Sequence, residues 1–146
     1  MAITTSAICN SFKKELLEAK HDFTQTSGDQ FKLSLYTSSA TLGKSTTSFT
    51  TDNEVSASGQ YTQGGGKLAK GSQNTSVATN TAIVDFADRS FTGVTLTARG
   101  ALLYNSSNSN TAVAVLDFGG DKSATSGTFT IQFPAFTTSA AIIRIA

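Results

Sequence analysis

The chain has 146 residues, about the length of one domain. Its formal net charge is +1, from 11 Lys and Arg residues against 10 Asp and Glu residues. Such a small charge creates no long-range field that would draw the protein to nucleic acid or to an anionic membrane. No apolar run approaches the roughly 18 residues of a membrane-spanning helix. We therefore expect neither nucleic acid nor a membrane as a partner.

Serine and threonine dominate the polar residues: there are 23 Thr and 19 Ser, whereas charged residues make up 14% of the chain. Threonine is β-branched and favours strands, and hydroxyl groups keep a solvent-facing strand polar without charge. The apolar fraction of 38%, with ten Phe, is too high for a disordered chain. Cys9 is the one cysteine, which excludes an intrachain disulfide, and we expect it to be a small buried residue.

A helical stripe opens the chain. Ile8, Phe12 and Leu16 follow one another at intervals of four residues, which places them on one face of a helix. Possible N-cap residues occur between residues 4 and 10, and the pattern stops near His21. The sequence therefore predicts one N-terminal helix.

Strands and turns fill the chain after Gly28. Phe31, Leu33 and Leu35 alternate with polar residues, as in a half-buried strand. Further extended stretches are predicted at 46–51, 67–69, 77–86, 113–118, 129–133 and 142–145, and one more covers 91–98 and 101–104 with a break at Gly100. Seven or eight strands with no helix between them are typical of an antiparallel sandwich or barrel. We predict a single, mainly β domain over 1–146: an N-terminal arm and helix over 1–22 and an antiparallel β-sandwich over 29–146.

Catalytic groups are sparse. His21 is the one histidine, and its position at a helix end favours a surface residue stabilised by the helix dipole. One histidine and one cysteine are too few for a zinc site. Residues 117–119 (DFG) match a kinase triplet, but no kinase catalytic loop precedes them, so we interpret them as a strand end that enters a glycine turn at 119–120. We expect no enzyme activity, no metal and no cofactor.

The acidic residues and the aromatic residues each allow two interpretations. The aspartates could gather at one end of a sandwich to hold Ca²⁺, or a pair of them could cleave a glycan. These residues are Asp85, Asp88, Asp117 and Asp121. Tyr36, Tyr61 and Tyr104 lie beside polar loops, where tyrosine favours either a half-buried sheet rim or an interface.

Two stretches of the chain resemble small structural proteins of tailed bacteriophages, especially those of marine phages. The first includes the strings NSFKKELL (Asn10–Leu17), HDF (21–23), FKLSLYTSSATL (31–42), EVS (54–56) and GQYTQGG (59–65). The second includes LDFGGD (116–121) and GTFTIQFP (127–134). Residues 70–81 carry no such resemblance.

The resemblance implies a capsid decoration (cement) protein with a compact, jelly-roll-like β-sandwich. Such a protein is made in the host cytoplasm and lies on the capsid surface of the virion. Its implied partners are the major capsid protein and further copies of itself, as a dimer or trimer. An alternative is a tail-tip or fibre-associated protein that binds host-surface glycans through its hydroxyl-rich loops. The candidate interface residues are Ile3, Ile8, Phe12, Leu16, Tyr61 and Tyr104.

Overall fold

The structure, a computed structural model, describes residues 3–70 and 75–146. Residues 1–2 of the predicted arm and residues 71–74 lie outside the described residues. Within the described ranges the chain forms β1 (Ala7–Ile8), α1 (Asn10–Leu17), β2 (Phe31–Tyr36), β3 (Gly66–Lys67), β4 (Thr75–Ala78), β5 (Thr81–Val84), β6 (Arg89–Asn105), β7 (Thr111–Ile131) and β8 (Ile143–Ile145).

The strands form two antiparallel sheets. The larger sheet has the order β1-β7-β6-β2-β3, and the smaller has the order β4-β5-β8. Phe86, just after β5, and Ile143 of β8 belong to the same hydrophobic core as the larger sheet. The predicted mainly β, sandwich-like fold with one short helix is confirmed. A jelly-roll order is not confirmed, because the sheets hold five and three strands and the longest pair, β6 and β7, are neighbours in sequence.

Strands β6 and β7 form the centre of the larger sheet. Their pairing runs from Arg89 opposite Ile131 to Asn105 opposite Thr111. In the inner half of this hairpin, each strand also pairs with a second neighbour: β2 pairs with β6 over 100–105, and β1 pairs with β7 at 114–115. The outer half, β6 over 89–98 with β7 over 122–131, is called the ribbon below.

Three local predictions are wrong. The glycines at 119–120 do not end a strand: β7 advances five residues from Asp117 to Lys122 while β6 advances two, so the extra residues form a bulge, with Gly119 at φ +75°. The predicted strand 77–86 is a hairpin, because Thr79 adopts φ +56° and reverses the chain. The predicted strand 46–51 makes one isolated bridge, between Ser48 and Thr111.

The N-terminal helix is shorter than its apolar stripe predicts. Ile8 pairs with Ala114 as part of β1, so the stripe begins outside the helix. Cys9 is the N-cap and is buried, as expected, and burial raises the pKa of its thiol to about 11. The chain leaves the helix at Ala19, which has φ +55°.

A buried polar cluster, the His21 network, joins the N-terminal segment to the β6–β7 turn. His21 Nε2 lies 2.7 Å from Glu15 Oε2, and its Nδ1 lies 3.0 Å from Asn105 Nδ2. Asn105 also donates to Asp29 Oδ2 at 2.7 Å. Because Asn105 Nδ2 is a donor, His21 Nδ1 must accept, and Nε2 carries the proton that it donates to Glu15.

The expectation that His21 lies on the surface is therefore wrong. Its side chain is fully buried, with its ring centroid 4.8 Å from that of Phe12. The carboxamide oxygen of Asn105 accepts hydrogen bonds from the backbone N–H groups of Ser107 and Asn108, at 3.0 and 3.2 Å. One asparagine thus fixes both the hairpin turn and the histidine.

Asn105→Ala is expected to lower the free energy of unfolding by about 3 kcal/mol, because it leaves buried groups without partners. Urea unfolding followed by far-UV circular dichroism measures this loss. Asn108→Ala is the matched control: its amide donates one bond, to the Lys20 carbonyl, near the surface, so the expected loss is below about 1 kcal/mol. Equal losses in the two variants would contradict a structural role for the network.

Candidate functional site

The structure places most of the predicted interface residues inside the chain. Ile3, Phe12, Tyr61 and Tyr104 are at most 2% exposed and belong to the hydrophobic core. Their assignment to an outward interface is corrected, because intramolecular packing already covers these side chains. The other two predicted residues, Ile8 and Leu16, are partly exposed and pack against the edge of the core.

The three tyrosines are buried in the core and are not half-buried at a sheet rim. Tyr36 donates its hydroxyl to the Thr50 carbonyl at 2.6 Å, and Tyr104 donates to the Gly64 carbonyl at 2.5 Å. Burial raises the pKa of both hydroxyls to about 12, so they remain protonated donors at neutral pH. Their rings supply apolar area, and their hydroxyls tie loops to strands.

Tyr61 shares its hydroxyl with a buried carboxyl group. It donates to Glu54 Oε1 at 2.8 Å and accepts the Leu35 N–H at 2.8 Å. Glu54 Oε1 also accepts the Gly64 N–H at 2.6 Å, whereas its Oε2 is buried without a hydrogen-bond partner among the described residues. Burial raises the pKa of Glu54, and the bonds from Tyr61 and Gly64 partly oppose this shift. No pattern in the sequence indicates a role for this carboxyl group.

The four aspartates, all within the described residues, do not gather at one metal site. Asp117 pairs with Arg99 at 3.2 Å, and Asp88 accepts the Phe133 N–H at 2.8 Å. In residues 3–70 and 75–146, no three His, Cys, Asp or Glu side chains are grouped so that they could hold a metal ion. Over the same ranges, no helix is both long enough and apolar enough to span a membrane.

The ribbon exposes an uncharged hydroxyl face. Ser90 and Thr130 oxygens lie 2.8 Å apart across its two strands, and Thr97 and Ser123 oxygens lie 2.7 Å apart. Such cross-strand pairs stabilise a sheet by a few tenths of a kcal/mol to about 1 kcal/mol each. The abundant hydroxyl groups therefore serve pairing within the ribbon as well as solubility.

A groove separates the two sheets where their terminal strands β1 and β8 approach each other. It consists of two adjoining hollows of about 280 and 330 Å³ that share Ile8, Ile142 and Arg144. Leu116 of β7 and the last residue, Ala146, also line it. We call this the edge groove. Of the six predicted interface residues, Ile8 is the one that lines it.

A second apolar feature lies on the smaller sheet. Val77 pairs with Ala82, and Ala82 pairs with Ile145, so the three side chains form one row across β4, β5 and β8. Val77 is 71% exposed and Ile145 is 56% exposed. We call these three residues the apolar row. Most large apolar side chains of this protein are buried, so an aligned and exposed row is a candidate contact surface.

Comparisons with family models, with curated proteins and with solved structures found no match for this chain. A function is therefore inferred from its own residues. Two surfaces are candidates for contact with a partner: the edge groove, which lies between two strand edges, and the apolar row.

Glu54 is expected to make stability depend on pH. The pKa of Glu54 is raised in the folded state, so folding favours the protonated carboxyl group. As the pH falls towards the ordinary glutamate pKa, the carboxyl group becomes protonated and the cost of burying its charge disappears. Between about pH 7 and pH 5, the free energy of unfolding of the wild type should therefore rise relative to Glu54→Gln. Urea titrations at the two pH values measure the difference.

Glu18→Gln is the control for this experiment. Hydrogen bonds from Lys20 and Lys14 lower the pKa of Glu18. Any pH dependence that Glu18 adds to the free energy of unfolding therefore falls at pH values below the ordinary glutamate pKa. The wild type and this variant should respond alike between about pH 7 and pH 5. A wild type that loses stability relative to Glu54→Gln over this range would refute the assignment.

Proposed function

We propose that this chain is a non-enzymatic structural protein of a bacteriophage virion, which decorates the capsid and stabilises it by binding across major capsid protein subunits. The edge groove is the observation that carries the proposal. It combines the apolar side chains of Ile8 in β1 and of Ile142, the residue before β8, with the backbone edges of two different sheets. Those two kinds of group together suit an extended peptide segment.

The groove favours a strand-like occupant. β1 and β8 are terminal strands of two and three residues, so their short outer edges offer only a few backbone groups to an extended segment, and side-chain contacts must supply most of the binding. Ile8 and Ile142 offer the apolar contacts that such a strand needs on alternate side chains. Arg144 also lines the groove, but its Nη1 donates to the Ser139 carbonyl at 2.7 Å and is thereby held in place. The guanidinium of Arg144 keeps its positive charge, so an extended, mainly apolar segment of a capsid subunit with an acidic group opposite Arg144 fits this surface best.

A decoration protein gains from weak individual contacts. A specific contact needs roughly 1,000–2,000 Å² of buried surface, of which one groove supplies a part. Many copies on one lattice act together through high local concentration, so modest affinity per copy is sufficient. The small net charge of +1 fits this role, because neighbouring copies repel each other little.

The tail-associated alternative has less support. Recognition of a glycan commonly relies on exposed aromatic rings, and Tyr61 and Tyr104 were the candidates for that contact. Both are buried and use their hydroxyls within the fold. Electron microscopy of intact particles, with the chain labelled by a specific antibody fragment, distinguishes the two locations: copies over the whole head support decoration, and copies confined to the tail overturn it.

Ile8→Ser is expected to weaken binding to purified phage heads that lack the chain by at least about tenfold, because it removes apolar area shared by both hollows. Co-sedimentation of labelled protein with the heads measures the change. Ile8 is only partly buried, so the variant should remain folded, with a loss of stability of about 1–2 kcal/mol.

Leu17→Ser is the matched control for Ile8→Ser. Leu17 is 91% exposed on α1 and does not line the groove, so this variant also loses an aliphatic side chain but should bind as the wild type does. Head binding that survives Ile8→Ser within twofold, or that falls equally in both variants, would rule out the edge groove as the docking site.

A further inference from the structure

The outermost strands of the two sheets are not equally protected against pairing with another chain. β1 and β3 have two residues each, and Lys67 adds a charge to β3. β8 has three residues with Arg144 at its centre. Short strands and positive charges are the usual devices that keep an edge from pairing. β4, with the sequence TSVA, is the longest of the four and has neither device.

The outer edge of β7 beyond β1 is longer but interrupted. The bulge at 118–121 breaks its regular spacing, and Ser126 adopts φ +46°. The Ser126 N–H is already bonded to the hydroxyl of Thr95. Bulges and bonded donors disfavour the addition of a strand. Among the terminal strands of the two sheets, as far as the structure describes them, β4 is therefore the one best suited to pairing.

The backbone of β4 presents unused groups at this edge. A two-residue turn joins Ala78 to Thr81, so this closing pair exchanges hydrogen bonds between its own residues. Bonded and non-bonded pairs alternate along an antiparallel ladder. The N–H and C=O groups of Val77 and Thr75 therefore point away from β5, and no described strand pairs with them.

We propose that a second copy of this chain pairs antiparallel with β4 at this edge. A twofold axis at Val77 places Val77 of each copy beside the other and joins the two smaller sheets into one. The apolar row then doubles in length. It extends from Ile145 through Ala82 to Val77 in one copy, and continues from Val77 to Ile145 in the second copy. No charged residue of β4 opposes this contact, because the strand contains none.

The contact is small, which determines its strength. A four-residue strand and one apolar row bury less than the roughly 1,200 Å² of a standard interface, so a dissociation constant of about 10–100 µM is expected. Such a dimer forms at high local concentration, as on a capsid lattice, and is sparse in dilute solution. The inference concerns a different surface from the edge groove and does not rest on capsid binding.

Analytical ultracentrifugation of the purified full chain tests the proposal. Over roughly 1–500 µM the wild type should shift from monomer to dimer. Val77→Lys should weaken this association by at least about tenfold, since it places a charge on β4 and a second one opposite it. Val77 is 71% exposed, and an unchanged melting temperature would establish that the variant is folded.

Ile145→Lys is the matched control for Val77→Lys. It removes an exposed apolar residue of the same row and adds the same charge, but on β8, two strands away from the proposed edge. Dimerisation that persists in Ile145→Lys and fails in Val77→Lys supports the β4 contact. A wild type that stays monomeric to about 500 µM, or a dimer that Ile145→Lys disrupts and Val77→Lys leaves intact, overturns it. No capsid is present, so either result leaves the proposed function to its own test.

Discussion

The pairing of β6 with β7 is the interaction on which the rest of the structure depends. β1 and β2 are hydrogen-bonded to its inner half, and β3 is attached through β2. The turn that joins the two strands begins at Asn105, which holds His21 and with it the segment that follows α1. Because neighbours in sequence form this hairpin, its loop closure costs little entropy, and the later strands and the N-terminal segment add to an existing surface. Loss of its register would expose the core on both sides.

Periodicity predicted the class of fold because alternation along strands survives any arrangement of those strands. Phe31, Leu33 and Leu35 are buried, as their spacing indicates. Strand boundaries were predicted wrongly where a single residue with an unusual backbone conformation determines them. Thr79 turns the chain at φ +56° without the glycine or proline that normally marks a turn, and Gly119 resembles a turn residue but accommodates a bulge inside β7. The total number of strands was nearly right because these errors offset one another.

Residues that act through distant contacts could not be assigned from the sequence. His21 and Asn105 are 84 positions apart, and only the folded sheet brings them within 3.0 Å. The same holds for Glu54 and Tyr61, whose bond depends on the loop beside β2. Tyrosine beside a polar loop is compatible with a rim, an interface or a buried hydroxyl that bonds to that loop, and the last of these applies to all three tyrosines. Of the predicted interface residues, Ile8 reaches a groove, and the signal that could have singled it out is its position between the N-terminal arm and α1.

The surface chemistry limits how this protein can associate. With a net charge of +1 and hydroxyl groups in place of ion pairs along the ribbon, it has little electrostatic attraction to any partner and little repulsion from its own copies. Specificity must then come from short-range features, namely strand edges with defined hydrogen-bond spacing and aligned apolar side chains. The edge groove and the β4 edge beside the apolar row each provide both features. The two proposed contacts use different edges of the smaller sheet, since β8 borders the groove and β4 is the opposite terminal strand. The proposed contact at the groove and the proposed self-contact at β4 therefore do not compete for the same edge.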